Sequence, residues 1–308
     1  MTESRVFPLI DVSRDQLSKL AGGPLRRVDR IDGGLTNTLH RVERDDGTIL
    51  AVKHYAAGLD AFGAELATLT LLHGTLPVPD VVHADEKALV IVYRWIEGIT
   101  LADLRRSGSP PAFASLADPL GRLLAWLART DSTEAFELAP ILERAYTQLT
   151  GGRARERMGA PIADALRRGL EAAEPSLAFG TVCLAHGDLG WRNILVERAA
   201  ADRWRITGVI DWEATSTGSP LVDIGSLFRY ADRYNDAWRE AFARGYREAD
   251  GVLPDDWLIN ARLLDATLLV DMLEEPRELP GVFADCRAVL AKLAAELTQG
   301  PRDFSPVV

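Results

Sequence analysis

Apolar and polar positions alternate in short runs through roughly the first third of the chain and then lengthen into helical stripes. Arg27 to Ile31, Thr38 to Glu43 and Thr48 to Tyr55 read as short strands, and Asp45-Asp46-Gly47 between the last two reads as a hairpin turn. From Leu59 to His73 the apolar residues Phe62, Leu66, Leu69 and Leu72 recur at three- and four-residue steps, which predicts a helix. Another strand is expected over Ala88 to Trp95, and helical structure starts at Thr100. Ser115 to Arg129 carries Leu116, Leu120, Leu123, Leu124 and Leu127 on one stripe. Helices are expected over Ile141 to Leu149 and Ile162 to Glu174. After a short strand, Arg205 to Ile210, four more follow: Leu221 to Tyr230, Trp238 to Ala249, Asp255 to Glu274 and Phe283 to Gln299. No internal repeat interrupts this order, and Gly300 to Val308 reads as a tail.

The stretch His186-Gly187-Asp188-Leu189-Gly190-Trp191-Arg192-Asn193-Ile194-Leu195-Val196 breaks the pattern. An acid sits five residues before an amide, and an apolar strand-like triplet follows at once. That is the shape of a kinase catalytic loop, in which Asp188 would receive the proton of an acceptor hydroxyl and Asn193 would hold Mg²⁺. A second strand ends in another carboxylate at Val209-Ile210-Asp211-Trp212-Glu213. Asn193 and Asp211 would thus present oxygen ligands from neighbouring strand ends, which suits an ion that takes few protein ligands. A lone His-Gly-Asp is more often an ordinary polar loop. Acid, amide, strand, turn and strand-end acid in order within 24 residues are harder to read that way.

The amino-terminal part supplies complementary groups. Ile31-Asp32-Gly33-Gly34-Leu35-Thr36-Asn37 joins the first two strands, and Gly33 and Gly34 would let backbone N–H groups approach a phosphate. Lys53, in Ala51-Val52-Lys53 on the third strand, is placed to reach phosphates as a point charge. Glu65 lies on the next helix, twelve residues later, where it would orient that lysine. Val92-Tyr93-Arg94-Trp95-Ile96 is the expected hinge, whose backbone would bind a purine. Each feature alone has a plainer reading: a turn, a solvated lysine, a helix-surface charge. Their order upstream of the loop favours the functional one.

The chain resembles the aminoglycoside phosphotransferase and choline kinase-like family from about Ile31 onward. Gly33-Gly34-Leu35-Thr36-Asn37 resembles its phosphate loop, His186 to Asn193 its catalytic loop, and Ile210-Asp211-Trp212-Glu213 its metal-binding segment. Pro220-Leu221-Val222-Asp223-Ile224-Gly225 resembles an element whose acid braces the catalytic loop. The resemblance implies an α+β, bilobal protein-kinase-like fold. A small β-rich nucleotide-binding lobe would span residues 1–96, and a larger, mainly helical catalytic and acceptor-binding lobe residues 97–308. It implies nucleotide contacts at Gly33, Gly34, Thr36, Asn37, Lys53, Glu65, Tyr93 and Trp95, with ATP or GTP as co-substrate. One departure from protein kinases is Gly187, where they carry the arginine that reads a phosphorylated activation loop. No long activation segment separates Asp211 from Pro220, so no protein substrate is expected.

Composition narrows the partners. A net charge of −10 and a pI near 5.1 argue against nucleic acid and weakly favour a cationic substrate. No apolar run reaches membrane-spanning length, and the first residues lack a signal peptide's apolar core, so a cytoplasmic enzyme is expected. Two cysteines, Cys183 and Cys286, are too few for a disulfide framework. In the family the carboxy-terminal helices recognise the acceptor. Asp265 sits there, and Asp271, Glu274 and Glu275 fall on neighbouring parts of one predicted helix face, where like charges would welcome a cation. Glu213 is a further metal or substrate candidate.

The expected function is phosphorylation of a hydroxyl on a cationic antibiotic, an aminoglycoside or a basic peptide, giving antibiotic resistance. The alternative is a metabolite kinase for choline, an amino sugar, homoserine or a thiosugar. Trp238 and Trp257 are available for a choline cage, but no aromatic cluster is evident in the sequence. A catalytically dead binding module is disfavoured by intact Lys53, Asp188, Asn193 and Asp211.

Overall fold

The computed structural model describes residues 5–32, 36–130, 136–177, 180, 182–200 and 203–299. The chain divides into two compact units, Met1–Leu123 with His186–Ser216, and Leu124–Ala185 with Thr217–Val308. The grouping therefore differs from a cut at residue 96: residues 186–216, with the strands they contain, belong with the amino-terminal sheet.

The first unit opens with helix α1 (Arg14–Leu20), started by a capping box between Ser13 and Gln16. Strands β1 (Leu25–Ile31), β2 (Thr38–Arg44) and β3 (Ile49–His54), helix α2 (Leu59–Leu72), and strands β4 (Val81–Asp85) and β5 (Val90–Arg94) follow. The sheet order is β1-β2-β3-β5-β4, antiparallel throughout. Gly47, at φ +85, closes the β2–β3 turn that Asp45-Asp46-Gly47 predicts.

Both faces of the central strands are buried, and the period of two sorts their side chains. Leu50, Val52, Val90 and Val92 pack with Leu17 of α1 on one face. Ala51, Tyr55, Ile91 and Tyr93 pack with Phe62 of α2 on the other. Lys53 shares the odd-numbered face of β3.

After the hinge come β6 (Ile99–Thr100), α3 (Leu101–Arg106), α4 (Pro110–Ala114) and α5 (Ala117–Leu127), the last running across the boundary between the units. Later in the chain, β6 pairs with β8 (Ile194–Arg198), and β8 with β9 (Trp204–Val209), in an antiparallel sheet of three strands. This pairing of Ile99 and Thr100 with Val196 and Leu195 ties β8 to the earlier part of the first unit.

The second unit contains α6 (Leu138–Gly151), α7 (Arg153–Met158), α8 (Ala160–Leu177), β7 (Cys183–Ala185), α9 (Leu221–Leu227), α10 (Asp236–Glu248), α11 (Trp257–Glu274) and α12 (Pro280–Gln299). A short β10 (Ser216–Gly218) pairs with β7. Twelve of the 18 residues of α11 are buried, which makes it the central helix of this unit. Leu263, Leu269, Val270 and Leu273 of α11 pack with Leu142 and Leu149 of α6, Leu166 and Leu170 of α8, and Leu290 and Leu293 of α12. At Gly225 of α9 a Cβ would stand 2.2 Å from the Ala261 carbonyl oxygen, so the close crossing of α9 and α11 requires glycine. Cys183 and Cys286 are both buried and free, and burial pushes the Cys183 thiol up to about 12. Among the described residues no helix is long and apolar enough to cross a membrane.

Candidate active site

The site lies within the first unit and is built where two loops meet two elements of the amino-terminal sheet region. Lys53 leaves the α2 face of β3, and Glu65 leaves the buried face of α2. Their side chains meet with Lys53 Nζ 2.5 Å from Glu65 Oε2. The pair predicted across twelve residues therefore forms. Glu65 is fully buried, among the apolar residues Phe62, Leu69 and Leu72, because the lysine supplies its counter-charge there.

Lys53 makes two further ion pairs, at 2.5 Å to Asp211 Oδ1 and 3.3 Å to Glu213 Oε2. Its ammonium also lies 4.9 Å from the centre of the Tyr55 ring. Burial works against the charged lysine, but Asp211 and Glu65 outweigh it and hold its pKa well above the ordinary value. Desolvation raises the Asp211 carboxyl, yet Lys53 wins and keeps it below the usual carboxylate range. Glu213 goes the other way: burial and the nearby acids lift it despite Lys53.

The segment 209–213 is held by its neighbours. β8 and β9 pair Ile194 with Val209, and the Ile210 N–H donates to the Asn193 carbonyl at 3.0 Å. Asn193 and Asp211 thus sit at adjoining strand ends, as their spacing predicts. Asp211 adopts φ +70, ψ +56, a left-handed conformation that Asp tolerates better than most residues. The turn behind it is pinned by fully buried Trp212, whose indole N–H donates to the Val209 carbonyl at 2.8 Å.

Asp188 is fixed through its own backbone. Its N–H donates to His186 Nδ1 at 3.3 Å, and the Asn193 amide donates to its carbonyl at 2.9 Å. Because Nδ1 accepts, the His186 proton is on Nε2, which lies 3.0 Å from the Ile210 carbonyl. His186 is fully buried, with its ring 4.5 Å from that of Trp212. It therefore ties the loop His186–Asn193 to the segment 209–213, a role the His-Gly-Asp triplet carries without announcing. Gly187 has φ +81, and a Cβ there would stand 2.2 Å from the Ala214 carbonyl oxygen. Glycine at this position is thus a steric requirement of the loop's contact with residues 212–214.

Trp191, within the loop, is a packing residue. It is 7% exposed, its ring lies 5.6 Å from Phe113, and the Arg105 guanidinium caps both rings.

Gly33 and Gly34 lie outside the described residues. Thr36 and Asn37 are described. The Asn37 amide donates to Glu213 Oε2, and its oxygen accepts the Ala56 N–H at 3.1 Å. Tyr93 is buried, on the face of β5 that carries the α2-side core. Trp95 is half-buried under the Arg41 guanidinium, at 5.6 Å, and its N–H donates to the Ile49 carbonyl at 3.1 Å. The backbone of Val90–Arg94 pairs with β3 and β4.

Three carboxylates, Glu65, Asp211 and Glu213, place one oxygen each within 4.8 Å of one another. Against them stands one ammonium. Among the described residues this is a hard-oxygen, net-negative donor set of a kind that would suit Mg²⁺.

Asp265, Asp271, Glu274 and Glu275 are each engaged by the protein's own donors. Asp271 accepts from Arg144 and Gln148, at 3.0 and 2.7 Å. Glu274 accepts the Arg153 and Ala154 N–H groups at the start of α7, at 3.2 and 2.9 Å. Arg277 holds the Glu275 carboxyl down to about 2 by hydrogen bonding. Asp265 is buried against Arg229 at 2.8 Å. The repulsion that the spacing predicts is relieved by the protein's own donors. Asp223 is buried on α9, as a structural acid would be. Trp238 and Trp257 do cluster, with Phe228, Tyr234 and Phe242, but all five are buried against one another as a filled core rather than an open cage.

Residues 27–258 match the model of a family described as the phosphotransferase enzyme family. Among solved structures the fold resembles a thermostable mutant of aminoglycoside phosphotransferase APH(4)-Ia in ternary complex with ADP and hygromycin B. That match has a TM-score of 0.67 and 18% identity over 94% of this chain and 99% of the other. Macrolide 2'-phosphotransferase MphH from Brachybacterium faecium matches at 0.64, with 20% identity over 93% and 98%. A candidate fructosamine-3-kinase from Thermobifida fusca YX-ER1 matches at 0.61, with 20% identity over 93% and 98%. No curated protein matches the sequence. The ordered Lys53, Glu65, Asp188, Asn193 and Asp211, the kinase-like fold and the family match agree: the chain belongs to the phosphotransferase enzyme family.

Proposed function

We propose that this phosphotransferase moves the γ-phosphoryl group of ATP or GTP to a hydroxyl of a small antibiotic. The observation that carries the kinase reading is the buried Lys53–Glu65 pair beside Asp211 and Glu213. Lys53, oriented by Glu65, binds the nucleotide's phosphates. Asp188, clamped at both its N–H and its carbonyl, orients the acceptor hydroxyl and takes its proton late in the transfer. Asp211 and Asn193 would hold Mg²⁺, which supplies charge neutralisation on the phosphates when bound. Positioning and electrostatics by these fixed groups do most of the work, because a loose transition state needs little covalent help. A purine would meet backbone beyond Trp95, since the strand before it is engaged in pairing.

The antibiotic acceptor is supported by relatives of the fold that are named as aminoglycoside and macrolide phosphotransferases, one of them bound to hygromycin B. The net charge of −10 favours a cationic member of that class. The second reading, a metabolite kinase acting on a sugar-like alcohol, is favoured by the similarity to a candidate fructosamine-3-kinase. The buried aromatic core gives no support to a choline acceptor. A cytoplasmic location suits an enzyme that consumes nucleoside triphosphate. A coupled nucleotide-turnover screen against basic antibiotics, macrolides and small alcohols decides between these readings. Turnover with an antibiotic supports the first reading, turnover only with a metabolite alcohol transfers the assignment to the second, and no acceptor-stimulated turnover sinks both.

A further inference from the structure

We propose that Arg5 is a positioning residue for nucleotide binding and acts through Asn37; the proposal rests on the kinase reading of the site. One guanidinium nitrogen of Arg5 donates to two successive carbonyls, Thr36 O at 3.2 Å and Asn37 O at 2.6 Å. Its Nε donates to the Phe7 carbonyl at 3.1 Å, which folds the arginine back on its own segment. Five residues on, the Ile10 N–H donates at 2.9 Å to the Thr38 hydroxyl, whose residue is 1% exposed. The segment from Arg5 to Ile10 therefore runs beside residues 36–38 and is tied to them at both ends.

Those residues form the limb by which the β1–β2 connection returns to the sheet. Holding two consecutive carbonyls fixes the peptide planes on either side of Asn37, and with them the direction of its side chain. That side chain spans the Ala56 N–H and Glu213. Glu213 in turn is 3.3 Å from Lys53. A continuous series of polar contacts runs from Arg5 through Asn37 and Glu213 to the lysine that binds phosphate. Arg5 is half-buried and about thirty positions from the residues it grips, so its placement is a tertiary feature. Arg5 touches neither Glu213 nor Lys53 in this series, and its effect is transmitted by the orientation of Asn37.

A double-mutant cycle tests this. Arg5→Met, Asn37→Ala and the double variant are titrated with a fluorescent ADP analogue in the presence of Mg²⁺, and the nucleotide KM and kcat are measured separately. Arg5→Met is expected to weaken nucleotide binding about tenfold, as loss of charged hydrogen bonds does, with acceptor KM unchanged. The double variant is expected to bind no worse than Asn37→Ala, because both changes cut the same series. Arg5→Lys, able to reach fewer carbonyls, is expected to recover part of the loss. If Arg5→Met does not fold, Arg5→Lys alone carries the test: an intermediate loss supports the role, and wild-type affinity overturns it. Nucleotide affinity within about twofold of wild type in Arg5→Met, or effects that multiply in the double variant, also overturn it. Wild-type protein that binds no nucleotide overturns the kinase reading itself, and is told apart because the variants are then irrelevant.

Discussion

Lys53 and Asp211 come together at 2.5 Å although they lie 158 positions apart, and the same ammonium binds Glu65 at 2.5 Å and Glu213 at 3.3 Å. One buried cation thus offsets part of the charge of three carboxylates. Removing it leaves the fully buried Glu65 without a counter-charge, which is the costly way to break an ion pair. Lys53→Met is expected to lose nucleotide binding and about 3 kcal/mol or more of stability. Added Mg²⁺ should restore part of that stability, because the carboxylates it would meet are no longer neutralised. Urea midpoints with and without Mg²⁺ measure both effects, and a midpoint equal to wild type contradicts the charge balance described.

Asp188→Asn keeps the backbone contacts that clamp the loop, since His186 and Asn193 bind its N–H and carbonyl. Folding and nucleotide affinity should therefore be nearly unchanged, while kcat falls by about 10²–10⁴-fold. A coupled assay showing kcat within about twofold of wild type, against a scale where tenfold is roughly 1.4 kcal/mol, would remove Asp188 from the reaction.

Magnesium dependence should separate the two proposed holders. Asp211→Ala deletes a carboxylate and is expected to abolish productive Mg²⁺–nucleotide binding. Asn193→Ala deletes a neutral amide, and is expected to raise the Mg²⁺ requirement more gently. It also removes the hydrogen bond to the Asp188 carbonyl, so kcat should drop at saturating Mg²⁺ as well. Activity titrated with Mg²⁺ in both variants reads this, and wild-type dependence in Asp211→Ala places the metal elsewhere.

His54, on the α1 face of the sheet, is buried, and burial together with His40 lowers its pKa to about 4. In the unfolded chain it would titrate near 6.5. The unfolded state therefore takes up a proton that the folded state refuses over this window. Stability is full above about pH 6.5 and is lost as pH falls towards 4, by up to about 3 kcal/mol for this group. His54→Leu should flatten that part of the profile, measured as urea midpoint against pH. Parallel curves for the two proteins would rule out the buried neutral histidine.

Asp271 and Glu274 are expected to matter for stability rather than for the acceptor. Glu274 accepts two backbone N–H groups at the start of α7, and loss of such a cap costs about 1 kcal/mol. Asp271→Asn with Glu274→Gln should lower the unfolding midpoint and leave acceptor KM unchanged. A raised KM for cationic acceptors, with no change for a neutral alcohol, would restore these residues to the acceptor site.

Strands β1, β2, β3, β5, β8 and β9, the helix carrying Glu65, and the sequence of Lys53, Asp188, Asn193 and Asp211 were legible along the chain. Each depends on a local period or a short spacing: apolar steps of three and four predict the helix that carries Glu65, twelve residues separate Glu65 from Lys53, and five separate Asp188 from Asn193. Helix α1 was legible but unread, since Ser13 and Gln16 form its capping box. Strand β4 and helix α7 are too short for a period to show. Tertiary structure alone decided the rest, because contacts between distant residues leave no periodic trace in the chain. It decided that Gly187 must be glycine, through the Ala214 carbonyl, and that Arg5 would grip the limb at Asn37. It also supplied Arg144 and the α7 N–H groups to acids that looked unpaired from their spacing, and closed Trp238 and Trp257 into a core. Local patterns fix which face a side chain leaves from; only the packed chain fixes what it meets.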